Sequence, residues 1–368
     1  MPREIRAAVL SAPDRRFTIE RLLLADPRPG EVLLRVAACG VCHSDWHVAT
    51  GDTKHPMPCV AGHEGAGVIE QVGDGVDDLA VGDSVVLSWA PDCGKCFYCL
   101  HGKANLCEEY VGPLWQGVML DGEPRLSWNG EPVYHYCGLA AFAEYVVVPA
   151  ICCVKAPADL SPEVAALIGC AVATGVGAVL YSAGVQPGDS VAVYGCGGVG
   201  LSILQGAKLA GAGSILAVDR SPYKRDLSLA MGATDFVLAS ESTPAEIRNC
   251  TEGRGADWVF EAIGIPSVQE AALDGVRPGG ALVLVGLAPM GTATNFPSAA
   301  LARTEKRVIG SYYGGVQPRR DFPMLLDWAR DGKLNFAPMI SRRWKLDDIN
   351  EAFAEMLKGD VGRGVIVF

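Results

Sequence analysis

The apolar positions of the chain change their spacing once, and the change divides it. Over residues 1 to about 160 the hydrophobic runs are short and β-type, as in Glu31 to Val36, Gly67 to Val72 and Asp83 to Leu87, and Gly, Pro and Asp break them. A mostly β domain is expected there. From about 172 to 314 strand and helix alternate: Ser190 to Tyr194, a helix near 199 to 210, Ser214 to Val218, a helix from Pro222, then Ala256 to Phe260 and Ala281 to Val285. This alternation predicts a doubly wound α/β unit, a parallel sheet with helices on both faces. The tail from about 315 predicts helices near 320 to 330 and 347 to 358 and a closing strand, Gly364 to Phe368, which returns to the first domain. The expected domains are therefore 1–171 with 315–368, and 172–314. Val164 to Gly188 carries no charge and is long enough to span a bilayer, but its five glycines and Pro187 lead into a glycine-rich run rather than a basic flank. It reads as core.

Composition narrows the chemistry. With 368 residues, 49% hydrophobic and 20% charged, the chain has enough apolar material for two cores. A net charge of -11 repels phosphate backbones and anionic lipids, which disfavours nucleic acid and membrane partners and favours a small-molecule substrate. The opening run MPREIRAAVL lacks the basic-then-apolar pattern of a secretion signal, so the cytoplasm is the expected compartment. Thirteen cysteines in that compartment point to metal rather than to disulfides.

The run Gly195, Cys196, Gly197, Gly198, Val199, Gly200 matches GxGxxG. Alone it would be weak, but it follows an apolar strand and opens a helix, where backbone N–H groups and the helix dipole receive a pyrophosphate. The next strand ends in Asp219, 19 residues after Gly200, placed to bond the adenine ribose and to repel a 2′-phosphate. NAD is therefore favoured over NADP, with Arg220 next door softening the preference.

Cys93, Cys96, Cys99 and Cys107, spaced C-x2-C-x2-C-x7-C, set four thiolates in a lobe of about residues 91–110. Four thiolates close a tetrahedral zinc shell with no open position, which makes the site structural. An iron–sulfur centre is the chemical rival, but ferredoxin loops have a shorter last gap followed by Pro, whereas Glu108 follows Cys107.

A second set of metal-ligand types lies in Cys39 to His47 and in Gly62 to Gly67, and neither segment decides anything alone. Together with Gly169-Cys170 and the glycine run, they resemble the zinc-containing alcohol dehydrogenases of the medium-chain dehydrogenase/reductase family, in the horse-liver-like long form that keeps the four-cysteine lobe. The resemblance covers essentially the whole chain. It implies a GroES-like catalytic domain beside a Rossmann domain, and a homodimer or homotetramer joined through the Rossmann domains. It also implies a catalytic zinc on Cys42, His63 and Cys170, with Glu64 an occasional fourth ligand and Asp45 orienting His63. Two zinc ions per chain follow.

The same resemblance implies that hydride passes from an alkoxide on zinc to NAD, while the proton leaves through Ser44, the cofactor ribose and His47. An alcohol is about as weak an acid as water, and zinc brings such a proton near pKa ~7, a shift of roughly nine units or about 12 kcal/mol. His43 stands where several relatives place an Arg against the pyrophosphate; Arg363 matches a second such Arg, and Lys224 a support for the ribose. Solvated surface charges are the alternative reading for both. Val199 is expected behind the nicotinamide and Thr174 at its face. Trp89 aligns with an aromatic of the substrate pocket, with Trp46 and Tyr312 as further candidates, a lining suited to primary alcohols and aldehydes, aromatic or allylic ones included.

Two rivals stand beside this reading. Thiol-dependent formaldehyde dehydrogenases, working with glutathione or mycothiol, resemble the chain from Leu114 to Tyr145, but they place an Arg after the lobe's last Cys, where this chain reads Cys107, Glu108, Glu109. A non-enzymatic zinc-binding interaction module explains the lobe and leaves Cys42, His63, Cys170 and the glycine run without a purpose.

Overall fold

The computed structural model describes residues 2–368. The chain divides into two compact units: Met1–Cys170 with Gln317–Lys358 and Arg363–Phe368, and Ala171–Val316 with Gly359–Gly362. One piece of this division has no counterpart in the sequence texture. Four residues near the C-terminus group with the second unit although both of their flanks belong to the first. Asp360 and Val361 are held there by Ser221 and Lys224.

Among the described residues, the first unit contains a closed barrel of Arg3–Leu10, Thr18–Leu24, Leu126–Trp128, Glu131–His135 and Cys59–Val60. Its second sheet centres on Glu31–Val41, flanked by Gly65–Val72 and Arg363–Val367, with Tyr145–Pro149 also paired to it. Glu31–Val41 is buried at almost every position rather than at alternate ones, so both of its faces are covered. Phe17, Phe142 and Phe353 pack together at the heart of this unit, with Phe17 stacked on Phe353 at 4.9 Å between ring centres.

In the second unit six strands form one parallel sheet in the order Asp235–Leu238, Ser214–Asp219, Ser190–Tyr194, Ala256–Glu261, Val276–Leu284, Arg307–Gly310. The order reverses at Ser190–Tyr194, the strand that leads into the glycine run, and a crevice at such a reversal is where doubly wound sheets bind nucleotides. The helices expected near 199, 320 and 347 are Gly198–Leu209, Pro318–Arg330 and Ile349–Lys358, and the closing strand is Arg363–Val367. Pro162–Ala183 is one continuous helix, apolar enough by length and composition to cross a membrane, but 83% of its most apolar window is buried in the protein. It is a core helix, as the glycines within it require.

Candidate active site and metal centres

The sulfur, nitrogen and oxygen atoms of Cys42, His63, Glu64 and Cys170 lie within 4.8 Å of one another, and all four residues are buried in the first unit. Each is delivered by a different piece of chain. Cys42 ends the long strand Glu31–Val41 and caps the helix His43–Thr50. His63 and Glu64 sit just before Gly65–Val72, and Cys170 lies in a π-helical turn, Ile168–Val172, of the core helix. Single π turns re-aim a side chain within a helix and recur at functional sites.

Glycines make room for the cluster. Gly62 has φ +92, and a Cβ there would fall 2.4 Å from Phe142 N; a Cβ on Gly40 would fall 1.9 Å from the Glu64 carboxylate. Asp45, fully buried on the first turn of the helix, accepts hydrogen bonds from Gly62 N–H at 2.8 Å and from His63 Nδ1 at 3.0 Å. That bond fixes the ring and turns the lone pair of His63 Nε2 toward the two cysteines. Tyr136, also buried, meets the same ring edge-on at 5.5 Å.

His63 Nε2 and Glu64 Oε1 are buried without a hydrogen-bond partner. Unsatisfied buried polar atoms cost about 1–3 kcal/mol each, so two of them facing two cysteines make an incomplete site unless a cation completes it. The charge balance agrees. A hydrogen bond from Cys170, with Arg363 and His63 nearby, holds the Cys42 thiol well below its ordinary range against the opposing effect of burial. Burial raises Glu64 to about 7, while its ion pair with Arg363 pulls the other way. Two thiolates, one imidazole and a carboxylate engaged by an arginine fit zinc with one open position.

The second cluster, Cys93, Cys96, Cys99 and Cys107, is also confined within 4.8 Å. Cys93 and Cys99 lie 3.9 Å apart, sulfur to sulfur, as do Cys96 and Cys107. A tetrahedron with Zn–S bonds of ~2.3 Å has edges of ~3.8 Å, so the spacing suits one ion and excludes disulfides. The backbone N–H groups of Lys95 and Cys96 donate to Cys93 Sγ, and that of Cys93 to Cys107 Sγ. The N–H groups of Cys99 and Glu108 bring the Cys96 thiol down to about 6.

In the second unit Gly195 has φ +90, and a Cβ on Gly200 would fall 1.7 Å from Gly195 O, so the turn into the helix needs glycine at both places. Gly197 is exposed with open space around it, and Gly198 begins the helix. Asp219 accepts from Cys196 N–H at 2.7 Å and from Ser221 N–H at 2.9 Å, which ties the loop to the end of the next strand. Val199 lies in the first turn of this helix, and Thr174 is buried in the core helix.

Other sequence candidates have definite places. Ser44 Oγ is 3.8 Å from Cys42 Sγ, and His47, one turn further along the helix, approaches Asp52 at 3.3 Å. His43 is exposed at the first helical position. Arg363 and Lys224 are 6% and 3% exposed, which removes the surface-charge reading of both. Arg363 pairs with Glu64, and Lys224 donates to Val361 O. Trp46 packs on Phe353 at 5.6 Å, against the hydrophobic core. Trp89 meets Trp115 at 6.4 Å, and Trp115 meets Tyr136 at 6.0 Å. An aromatic file therefore runs from Trp89 to His63. Tyr312 belongs to the second unit, just before the turn Tyr313–Gly315. Trp115 and Tyr136 escape sequence reasoning because no spacing signal marks them.

Two family models match the chain, an alcohol dehydrogenase GroES-like domain over residues 28–158 and a zinc-binding dehydrogenase over residues 198–331. A Synechocystis S-(hydroxymethyl)glutathione dehydrogenase is 39% identical, covering 98% of this chain and 99% of its own. An Escherichia coli enzyme of the same name is 40% identical over the same shares. Among solved structures, benzyl alcohol dehydrogenase from Acinetobacter calcoaceticus matches with TM-score 0.92 and 31% identity over 100% of this chain and 99% of that one. An alcohol dehydrogenase zinc-binding domain protein from Burkholderia ambifaria matches with TM-score 0.94 and 33% identity over 100% of both chains.

Proposed function

The chain belongs to the zinc-dependent alcohol dehydrogenases, and from that premise we propose that it oxidises primary alcohols carrying a flat apolar group, benzylic or allylic, and reduces the matching aldehydes. It is an oxidoreductase acting on CH–OH that uses NAD and two zinc ions. The observation that carries the substrate reading is the file Trp89, Trp115, Tyr136, His63, each ring meeting the next edge to face. An aromatic wall ending at a metal-ligand histidine offers a planar substrate dispersion contact while its oxygen reaches the metal.

When bound, zinc acidifies the alcohol oxygen and NAD accepts the hydride. The protein's part is to hold and to orient. Cys42, His63 and Cys170 supply the donor atoms, Asp45 fixes the His63 ring, and Arg363 keeps the Glu64 carboxylate engaged. Gly195 to Gly200 receive the pyrophosphate at the helix start, and Asp219 selects the unphosphorylated ribose. Ser44 and His47 stand three residues apart on one helix, so both lie on the same face. We assign them the outward proton path, with the Ser44 hydroxyl accepting and donating in turn and His47 exchanging with solvent beside Asp52.

A thiol-dependent formaldehyde dehydrogenase is the second reading, because the curated relatives carry that name. The paired acids Glu108 and Glu109, on the first helical turn after Cys107, count against a glutathione carboxylate at that place. The reading also includes a cytoplasmic setting and a homodimer formed through the open edge strand Arg307–Gly310.

An activity panel of alcohols and aldehydes with NAD or NADP, with and without glutathione and formaldehyde, tests these choices. Benzylic alcohols with NAD should give the highest kcat/KM. Turnover confined to formaldehyde plus thiol would replace the substrate proposal with the second reading. His63→Ala should abolish alcohol oxidation while leaving the circular dichroism spectrum intact, and retained turnover would refute the metal-site assignment.

A further inference from the structure

The stretch that follows Asp219 carries three donors close together: the Arg220 guanidinium, the Ser221 hydroxyl and the Lys224 ammonium. Such a set suits a phosphate on the ribose 2′ oxygen, because a phosphate monoester brings about −1.5 to −2 charges and three strong acceptor oxygens. By residue type alone these donors would offset the repulsion that Asp219 exerts. The structure shows them engaged elsewhere.

The short segment Gly359–Gly362 packs with the second unit and meets all three. Gly359, with φ +83, lies against Arg220, and a Cβ there would stand 3.4 Å from Nη2. Ser221 Oγ, on a residue 8% exposed, donates to Asp360 Oδ1 at 2.9 Å. Lys224 is 3% exposed, and its bond to Val361 O fixes the ammonium at the segment. Ser221 is thereby held by two carboxylates, since its N–H donates to Asp219 Oδ1 at 2.9 Å while its hydroxyl serves Asp360. A serine hydroxyl has one proton to give, so while Asp360 takes it none is left for a ligand.

We propose that Gly359–Gly362 is a cofactor-specificity element with Asp360 as its deciding residue. Asp360 takes the Ser221 proton that a 2′-phosphate would need, and it sets a second carboxylate on the serine that Asp219 already holds. Discrimination against NADP is shared between the two aspartates rather than resting on Asp219 alone. The inference rests on the NAD reading above and deepens it by naming the group that completes the choice.

Isothermal titration of the full-length protein with ADP-ribose and with 2′-phospho-ADP-ribose reads the choice without the nicotinamide ring. Native protein should bind ADP-ribose and discriminate against the 2′-phosphate form. In Asp360→Ala the 2′-phosphate form should bind about tenfold more tightly, the worth of one hydrogen bond to a charged group, with ADP-ribose affinity within about twofold of native. Asp360→Asn, which keeps the acceptor for Ser221 and loses the charge, should gain less. Adding Ser221→Ala to Asp360→Ala should take most of the gain away. A merely structural Asp360 would weaken both ligands together and leave their ratio where it was. That outcome, or equal gains in Asp360→Ala and Asp360→Asn, overturns the proposal while the NAD reading stands. Native protein that binds neither ligand, or both alike, overturns the NAD reading with it.

Discussion

Asp45 accepts two hydrogen bonds in a fully buried place, one from a glycine N–H and one from the metal-ligand His63. Asp45→Ala leaves both donors unsatisfied and frees the ring to rotate. Zinc affinity at the buried site should fall by about 10–100-fold, read by chelator competition, because partners behind a ligand tune the metal to that degree. A second buried histidine gives a pH prediction. Burial first, then the Arg125 charge and His55, push His135 down to about 3. Unfolded, a histidine titrates near ~6.5, so between that pH and about 3 only the unfolded chain takes the proton. Stability contributed by neutral His135 is complete above pH ~6.5 and drains away as the pH falls. In His135→Asn, melting temperature should therefore vary less steeply from pH 6 to 4 than in the parent; parallel profiles would disprove the assignment. At this scale the sequence was legible where spacing carries chemistry, as in the lobe and the glycine run. Trp115 and Tyr136 were not legible, because their roles come from what the fold brings beside them. Trp46, four residues after Cys42, is turned by helix periodicity onto Phe353.

Elements were legible to within a few residues wherever an apolar strand met a glycine turn. The helix Gly198–Leu209 starts inside the GxGxxG run, and only a missing Cβ lets Gly200 pass Gly195 O. Gly200→Ala would drive a methyl group to 1.7 Å from that oxygen, and backbone cannot yield cheaply. NAD affinity should drop at least about tenfold, one to two kcal/mol at 1.36 kcal/mol per decade, and the melting temperature should fall with it; isothermal titration and calorimetry read the two effects. Unchanged affinity would mean the helix start does not receive the cofactor. The π turn that carries Cys170 had no sequence signal. Val164 to Gly188 is so uniformly apolar that nothing in it marks the one extra residue per turn that aims a thiol at the cluster.

At the scale of the molecule, the two metal clusters differ in depth and so in what their loss should do. Cys93, Cys96 and Cys99 are partly exposed on their lobe, whereas Cys42, His63, Glu64 and Cys170 are all buried. Native protein should hold two zinc ions per chain by elemental analysis. Cys99→Ser should reduce that to one and lower stability, with the remaining ion still at the buried site, since the lobe's ligands come from residues 93–107 alone. Assembly is the remaining question, and the sheet of the second unit frames it. Its order ends in Arg307–Gly310, paired on one side only, with Val308 and Ile309 half-buried. Open edges invite a second copy, and soluble proteins protect them with charge when no copy is meant to bind. Here a single arginine opens the strand and apolar residues fill its middle. Two such strands placed edge to edge around a twofold axis would extend the sheet across both chains and satisfy their free backbone groups. Ile309→Lys places a charge in the centre of that contact. Sedimentation should then show dimer in the parent and monomer in the variant at the same micromolar concentration, with the zinc content of each chain unchanged.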